Sequence, residues 1–558
     1  MKPELKTKLT RYLMPFLIVA LLIVGFRLFN TSHPKGVYTL TLMHTNDVHS
    51  AYGGFTKENL ICYQPFCEGG TGGSVRLDQA VRTIRQHHPD AILLDSGDEF
   101  QGSLFWFVHR EKAITQIIDF INYTAIIPGN HEFDDGNVTF LRYVTNIKTP
   151  VLAANLSFNP HMAGAEKIKP WIIVERGEQK IGIVGITNEN MQSLSFPGPE
   201  AHFAKENETL KKAVEELTAQ GVNIIIAMTH IGYENDKRLA RSVNGVDIIA
   251  GAHSHSLLSN NKSLRNVEGP YPTVEKSPDG KPVLVVTADT ATHYLGCIQV
   301  EFDIEGVPVS WSGEPIALND KTLQDMKALE PNPQLVATVD KLATPVRALL
   351  VQQVGRVNAQ NVPEGRPLEE SSVRQCRAGE CMTGNIAADA LLKIPFANAE
   401  IVLLNGGSLR NPLPNGRVSM GDILGTLPFQ NTPQICSMPG STILQALERG
   451  VETYGDNEGQ FLQTAGLRYT FDTKKEPGKR ITVAEVKDKN GNWQNLDKDK
   501  TYRVVTVDFI SKGGDGYTMF TNLKWTEAKM LMSEVLQRYL ERHSPANVKI
   551  EGRVQMAK

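Results

Sequence analysis

Gly129-Asn130-His131-Glu132-Phe133-Asp134 follows the apolar run Ala125-Ile126-Ile127 and sits where a strand would end. An amide, an imidazole and a carboxylate fall within one short loop. A buried core has no use for that set. A metal centre that must also push a proton or stabilise a charge does. Alone, the stretch also reads as an Asn-capped loop with a surface histidine. Four other stretches decide the matter, because each is a strand-like run that ends in metal-ligand side chains.

Residues 37–43 read as a strand and lead into His44-Thr45-Asn46-Asp47-Val48-His49. Asp47 and His49 are two apart, so an extended segment can point both the same way. Residues 91–94 form a short apolar strand ending in Asp95-Ser96-Gly97-Asp98, a common setting for a metal carboxylate. Residues 224–228 are wholly apolar and end in Thr229-His230, and the strand 246–249 ends in Gly251-Ala252-His253-Ser254-His255. Helical patterns fall at 74–88, 113–121 and 210–220, a hairpin is expected between 171–174 and 180–186, the apolar run 151–154 ends at Asn155, and 281–287 reads as a strand. The Gly-rich stretch 69–73 lacks the Lys-Ser/Thr of a phosphate-cradling loop and reads as a turn. Strands alternating with helices give a layered α/β domain, with the ligand candidates on loops at strand ends.

The candidate metal ligands are Asp47, His49, Asp98, Asn130, His230, His253 and His255. Imidazole and oxygen donors suit zinc, manganese, iron or cobalt better than calcium. Seven ligands exceed one tetrahedral site but fit two divalent metal ions sharing a carboxylate. Such a pair, about 3.5–4 Å apart, activates a water and clamps the oxygens of an in-line phosphoryl displacement. One histidine is more often a satisfied core residue. Five strand-end motifs in a workable order are not.

Composition narrows the partners. Lys and Arg total 58 against 61 Asp and Glu, for a net charge of −3. No basic block stands out, which argues against a nucleic-acid polymer. At 558 residues the chain exceeds a single core, so two domains are expected. Lys2, Lys6, Lys8 and Arg11 precede an apolar run over 13–26 that Arg27 closes. The run is short for a membrane span of roughly 20 residues and fits a signal peptide or signal anchor. Export follows, to the periplasm or the cell surface, with membrane anchoring if the segment is retained. Cys62 with Cys67 and Cys376 with Cys381 are close enough to form small disulfide loops in an oxidising compartment. Their spacing does not suit a zinc site. Cys297 and Cys436 are left over as apolar thiols.

Between 319 and 356 the texture changes. Pro331, Pro333 and Pro345 punctuate two helical stretches, and Asn332 before Pro333 makes a good helix start. A second domain follows, with a helix over 382–392, a strand over 400–404 ending in Asn405-Gly406-Gly407-Ser408-Leu409-Arg410, a helix opening at 420–424 before Leu427-Pro428-Phe429, and a strand over 502–507 before Phe509 and Asp515. The expected organisation is a leader at 1–30, a catalytic domain at 37–330, a linking helix at 331–356 and a substrate-binding domain at 357–550.

Taken together, the five strand-end motifs resemble those of the dinuclear metallophosphoesterases, and their order is similar to the exported 5′-nucleotidase family. Cys376-Arg377-Ala378-Gly379-Glu380-Cys381, Gly384-Asn385 and the stretches at 405–410, 427–429 and 509–515 are similar to that family's C-terminal domain. The resemblance implies a layered β-sheet sandwich with helices, joined by a linking helix to a smaller α/β domain. It implies that Asp47, His49, Asp98 and His255 hold one metal, and Asp98, Asn130, His230 and His253 the other. His131, oriented by Asp134, would stabilise charge on the phosphoryl group or the leaving oxygen. Phe429 and Phe509 would sandwich the base of a nucleotide substrate, Arg377 and Arg410 would grip phosphate, and Asn405 and Asp515 would bond base or ribose. His255 departs from the Gln or Asn of the best-known members and remains a competent ligand. Zinc is expected first, with manganese, cobalt or magnesium as alternatives.

The implied activity is hydrolysis of 5′-nucleotides to nucleoside and phosphate. Cleavage of a pyrophosphate bond, as in UDP-sugars or NAD, is the near alternative on the same centre. A cyclic-nucleotide phosphodiesterase is disfavoured by Asp134, where those relatives carry Asn. A non-catalytic nucleotide-binding surface protein is disfavoured because every expected ligand position holds a competent group.

Overall fold

Tyr38–Thr45 is the strand on which the first lobe is laid. Its side chains alternate: Leu40 and Leu42 enter one core cluster and Met43 the other, as a period of two requires. The computed structural model describes residues 38–57, 61–369, 372–429, 431–455, 459–528 and 530–557. The expected leader at 1–30 lies outside the described residues. Among the described residues no helix is long and apolar enough to cross a membrane.

Two six-stranded sheets make up the first lobe. One runs Pro308–Gly313, Tyr294–Phe302, Tyr38–Thr45, Ile92–Asp95, Ala125–Ile126, with Ile316–Ala317 beside Tyr294–Phe302. The other runs Thr273–Lys276, Pro282–Val286, Ile248–Ala250, Ile224–His230, Gln179–Thr187, Trp171–Arg176. Leu40, Leu42, Ile92 and Leu94 share a core cluster with Ile183, Ile226, Ile248 and Val285, so the sheets face each other. Met43 and Leu93 point the other way, into a cluster with the helices Ser74–His87, Glu111–Ile121 and Gly136–Asn146. Tyr38–Thr45, Ile92–Asp95 and Ala125–Ile126 are mutually parallel, as are Gln179–Thr187, Ile224–His230 and Ile248–Ala250. Candidate ligands follow the C-terminal ends of these strands, where open α/β sheets place their sites.

The second lobe is built on a five-stranded sheet, Leu462–Ala465, Ile401–Asn405, Thr501–Val507, Pro433–Pro439, Thr526–Glu527, with its own core around Leu403, Ile443, Val504 and Leu536. The helix Pro333–Val351 joins the lobes. Asn332 Oδ1 caps it, accepting from Gln334 N at 3.0 Å and Leu335 N at 3.4 Å.

Pro345 lies inside the linking helix without ending it. It costs one intrahelical bond, but Leu342, Ala343 and Val346 around it are buried in the first lobe's core, and that packing overrides local propensity. The apolar run 151–154 makes isolated bridges, Val151 with Ile126 and Leu152 with Lys169. Both cysteine pairs, Cys62–Cys67 and Cys376–Cys381, are disulfides, which fits an exported protein. Cys436 is buried and Cys297 half-buried, both as free thiols.

Candidate metal centre and the adjoining cavity

The site begins as a backbone problem. Asp47, His49, Asp98, His253 and His255 have φ of 51°, 51°, 60°, 81° and 54°, all in the left-handed region. That costs a non-glycine residue on the order of 1–3 kcal/mol. The loops are held there by lacing against each other. Asp47 N donates to Gly97 O at 2.9 Å, His49 N to Asp98 O at 2.9 Å and Ser50 N to Glu99 O at 3.0 Å. Glu132 completes the lacing: its carboxylate accepts from the backbone of Asp98 (3.0 Å), Glu99 (2.8 Å), Phe100 (2.9 Å) and Gly129 (2.6 Å). Burial and the nearby Asp98 raise its pKa to about 7. In the sequence Glu132 stands inside the Gly129–Asp134 stretch with no evident task. A carboxylate between a candidate ligand loop and a buried Phe was the available signal.

Six of the seven candidate ligands meet in two groups, with Asn130 beside the second. Asp47, His49 and His255 form one, and Asp98, His230 and His253 the other, each with its ligand atoms within 4.8 Å of one another. His49 donates Nδ1–H to Phe100 O at 3.3 Å, which leaves Nε2 unprotonated and 3.1 Å from His255 Nε2. His230 donates Nδ1–H to Ser96 O at 2.7 Å, and its Nε2 points at Asp98 Oδ2, 3.2 Å away. Asn130 Oδ1 lies 2.8 Å from His253 Nδ1. Fixing one ring nitrogen on a carbonyl is how a protein aims the other at a metal.

The donor set fits divalent cations on further grounds. His230 Nε2 is fully buried and makes no well-directed hydrogen bond, only the 3.2 Å approach to Asp98 Oδ2. Burial lowers His49 to about 3 and His253 to about 4, so both stay neutral. Burial also pulls on His230, but Asp98 and Asp47 outweigh it and hold the pKa at about 10. The carboxylates thus demand positive charge at Nε2, a demand a cation would meet. Gly129 leaves the space: a Cβ there would lie 2.3 Å from Asp98 Oδ1 and 2.6 Å from His230 Cε1.

His131 belongs to neither of these two groups, although its ring also comes within 4.8 Å of the His49 and Asp98 ligand atoms. Its backbone N–H donates to Asp98 Oδ1 at 2.8 Å, and its Nδ1 donates to Asp134 Oδ2 at 2.6 Å. Burial lowers its pKa, but Asp134 and Asp98 more than compensate, and the net shift is upward. Arg410, from the second lobe, reaches the same ring: its Nη2 is 3.4 Å from His131 Nε2, and its guanidinium sits 5.1 Å over the Phe429 ring.

Above this floor lies a cavity of about 740 Å³ between the lobes. Asp98, Asn130, His131, Asp134, His253 and His255 line it from one lobe, and Arg377, Asn405, Arg410, Phe429, Phe509 and Asp515 from the other. Asp47, His49 and His230 lie beneath, 9 % exposed or less. Asn405 Nδ2 donates to Asp515 Oδ2 at 2.8 Å and Ser408 Oγ to Asn405 Oδ1 at 2.6 Å, so the polar edge is preorganised. Sequence reasoning missed Leu194 and Phe196, which line the cavity from the first lobe. Their signal was an aromatic before a Pro-Gly turn.

Comparisons with known proteins agree with this architecture. The family model described as calcineurin-like phosphoesterase matches residues 40–257, and that of the 5′-nucleotidase C-terminal domain matches 353–522. Snake venom 5′-nucleotidase of Naja atra is 32 % identical over 504 residues, covering 87 % of this chain and 92 % of that one. The 5′-nucleotidase of Homo sapiens is 31 % identical over 542 residues, covering 94 % and 92 %. The crystal structure of a 5′-nucleotidase precursor from Thermus thermophilus superposes with a TM-score of 0.82 at 32 % identity, covering 93 % of this chain and all of that one.

Proposed function

We propose that this chain, which belongs to the 5′-nucleotidase family, hydrolyses nucleoside 5′-monophosphates to nucleoside and phosphate in a metal-dependent reaction. One observation carries the reading. A single cavity joins an imidazole and carboxylate cage in one lobe to an arginine and two aromatic rings in the other. The cage would suit a phosphoryl group once it holds divalent cations, and the rings suit a base.

Asp47, His49, Asp98 and His255 would hold one divalent cation, and Asp98, Asn130, His230 and His253 the other. When bound, such a pair supplies an activated water and neutralises phosphoryl oxygens. The nitrogen and oxygen donors favour zinc. His131, with Nδ1–H donating to Asp134, turns Nε2 toward the cavity and stabilises negative charge on the phosphoryl group or the leaving oxygen. Arg410 and Arg377 grip phosphate oxygens, for which a planar guanidinium is well shaped. Phe429 and Phe509 hold the base by stacking, which tolerates different bases. Asn405 and Asp515 take polar edges of the nucleoside. Chemistry belongs to residues 37–330, recognition to 357–550, and 331–356 join them. The protein acts outside the cytoplasm, in a periplasm or at a cell surface, with residues 1–30 as leader or anchor.

Phosphate release from AMP, measured with and without a chelator and after re-addition of zinc or manganese, tests the reading. Parallel arms with UDP-glucose and NAD separate monoester from pyrophosphate cleavage. No phosphate from any nucleoside monophosphate with any added metal would overturn the reading.

A further inference from the structure

Two neighbouring residues of one loop face opposite ways. Ser195, 5 % exposed, donates from Oγ to Asp134 Oδ1 at 2.7 Å. The other oxygen of Asp134 is the one that takes the His131 Nδ1 proton. Phe196 turns to the second lobe: it meets Phe509 edge to face at 5.7 Å and 83°, and Lys512 Nζ lies 4.9 Å over its ring. The helical turn Met191–Leu194 just before them packs beside the turn Gly514–Gly516 that carries Asp515.

This loop is tied down on its own side. Gln192 Nε2 donates to Gly198 O at 3.1 Å and Ala201 O at 3.2 Å, and Asn137 Nδ2 donates to Glu200 Oε2 at 2.9 Å. It is a short, braced strap between the His131–Asp134 pair and the nucleoside end of the cavity. A carboxylate bonded through one oxygen can still rotate about its side chain. A second bond on the other oxygen removes that freedom, and a catalytic imidazole needs its partner fixed to within about 0.5 Å. Ser195 supplies the second bond. Edge-to-face and cation–π contacts make Phe196 a directional contact rather than a greasy one.

The geometry points to Ser195 as a positioning residue for the His131–Asp134 pair, and to Phe196 as the contact by which the same loop walls the nucleoside pocket against the second lobe. The inference rests on the phosphomonoesterase reading above and adds residues that no sequence motif marked.

The test compares AMP with phenyl phosphate, which carries no nucleoside. Ser195→Ala should lower kcat about tenfold on both substrates, the equivalent of one hydrogen bond to a charged group. KM should stay within about twofold and the metal content should be unchanged, since Ser195 does not touch substrate. Ser195→Thr should restore most of the rate. Ser195→Cys, nearly isosteric and a weak donor, carries the same test if the alanine variant does not fold. Phe196→Ala should raise KM for AMP at least about fivefold more than KM for phenyl phosphate, through loss of an apolar wall. A wild-type kcat in Ser195→Ala, or a loss that threonine does not repair in metal-replete protein, would overturn the Ser195 assignment. Equal effects of Phe196→Ala on both substrates would overturn the Phe196 assignment. Wild-type turnover of phenyl phosphate with none of any nucleotide would overturn the proposed function instead, and the Ser195 variants would still be read on phenyl phosphate.

Discussion

Gly129→Ala should silence the enzyme while leaving it folded. Gly129 does not have the left-handed φ that favours glycine, so its backbone accepts alanine, and the added methyl is the whole perturbation. That methyl would lie 2.3 Å from Asp98 Oδ1, 2.6 Å from His230 Cε1 and 2.7 Å from His230 Nε2. To reach even 3.0 Å, the carboxylate oxygen must withdraw by about 0.7 Å. Metal–ligand distances tolerate only about 0.2 Å. Both displaced groups belong to the cation proposed for Asp98, Asn130, His230 and His253, so that cation should be lost first. A misplacement near 1 Å costs about 10²-fold in rate. The assay is metal content by elemental analysis, then phosphate release with metal re-added, then a thermal melt. Gly177→Ala is the control. Gly177 has a φ of +60° and nothing within 4 Å of the new methyl, so a small loss of stability with normal activity is expected there. Two metals bound at native affinity and a rate within about twofold in Gly129→Ala would refute the reasoning.

Three further outcomes follow from the same geometry. His131→Ala should keep both metals and lose about 10²- to 10⁴-fold in kcat; elemental analysis beside turnover checks it, and an unchanged rate removes His131 from the reaction. Glu132→Ala leaves four buried backbone N–H groups unpaired and should cost about 3 kcal/mol or more, seen as a lower melting temperature together with weaker metal retention. Acid should destabilise the fold through two buried imidazoles away from the cage: burial lowers His44 to about 3 and His293 to about 4. Both folded values lie below the ordinary 6.5, so the unfolded chain takes up protons first as pH falls. The stability is therefore fully present above pH 6.5 and is lost progressively toward pH 4 and 3. Each group steepens the slope by at most about 1.4 kcal/mol per pH unit. Denaturant melts of His44→Gln should show a shallower acid limb, and an identical limb would count against this account.

How far the sequence could be read depended on the kind of constraint. The strand-end motifs at Asp47, Asp98, Asn130, His230 and His253 were legible because a parallel strand delivers its polar residues at one end, so apolar runs with abrupt polar stops give both fold and site. The left-handed backbone at five of the candidate ligand positions was not legible, because Asp and His are ordinary residues there only by virtue of loop-to-loop hydrogen bonds. The structural task of Glu132 is likewise a property of three distant N–H groups and one nearby. Pro345 does not end the expected linking helix because that helix is held by a core the sequence does not display. Ser195 and Phe196 were silent because each takes its meaning from a partner far along the chain: Asp134 is 61 residues from Ser195, and Phe509 lies in the other lobe.

The strained backbone under Asp47, His49, Asp98, His253 and His255 has an evolutionary side. Glycine or asparagine would rest more easily at each of these positions, so selection for stability alone would favour them and selection for turnover is what would hold the present side chains. Descendants released from that selection should betray themselves early, by glycines at these five points between strands that otherwise stay intact.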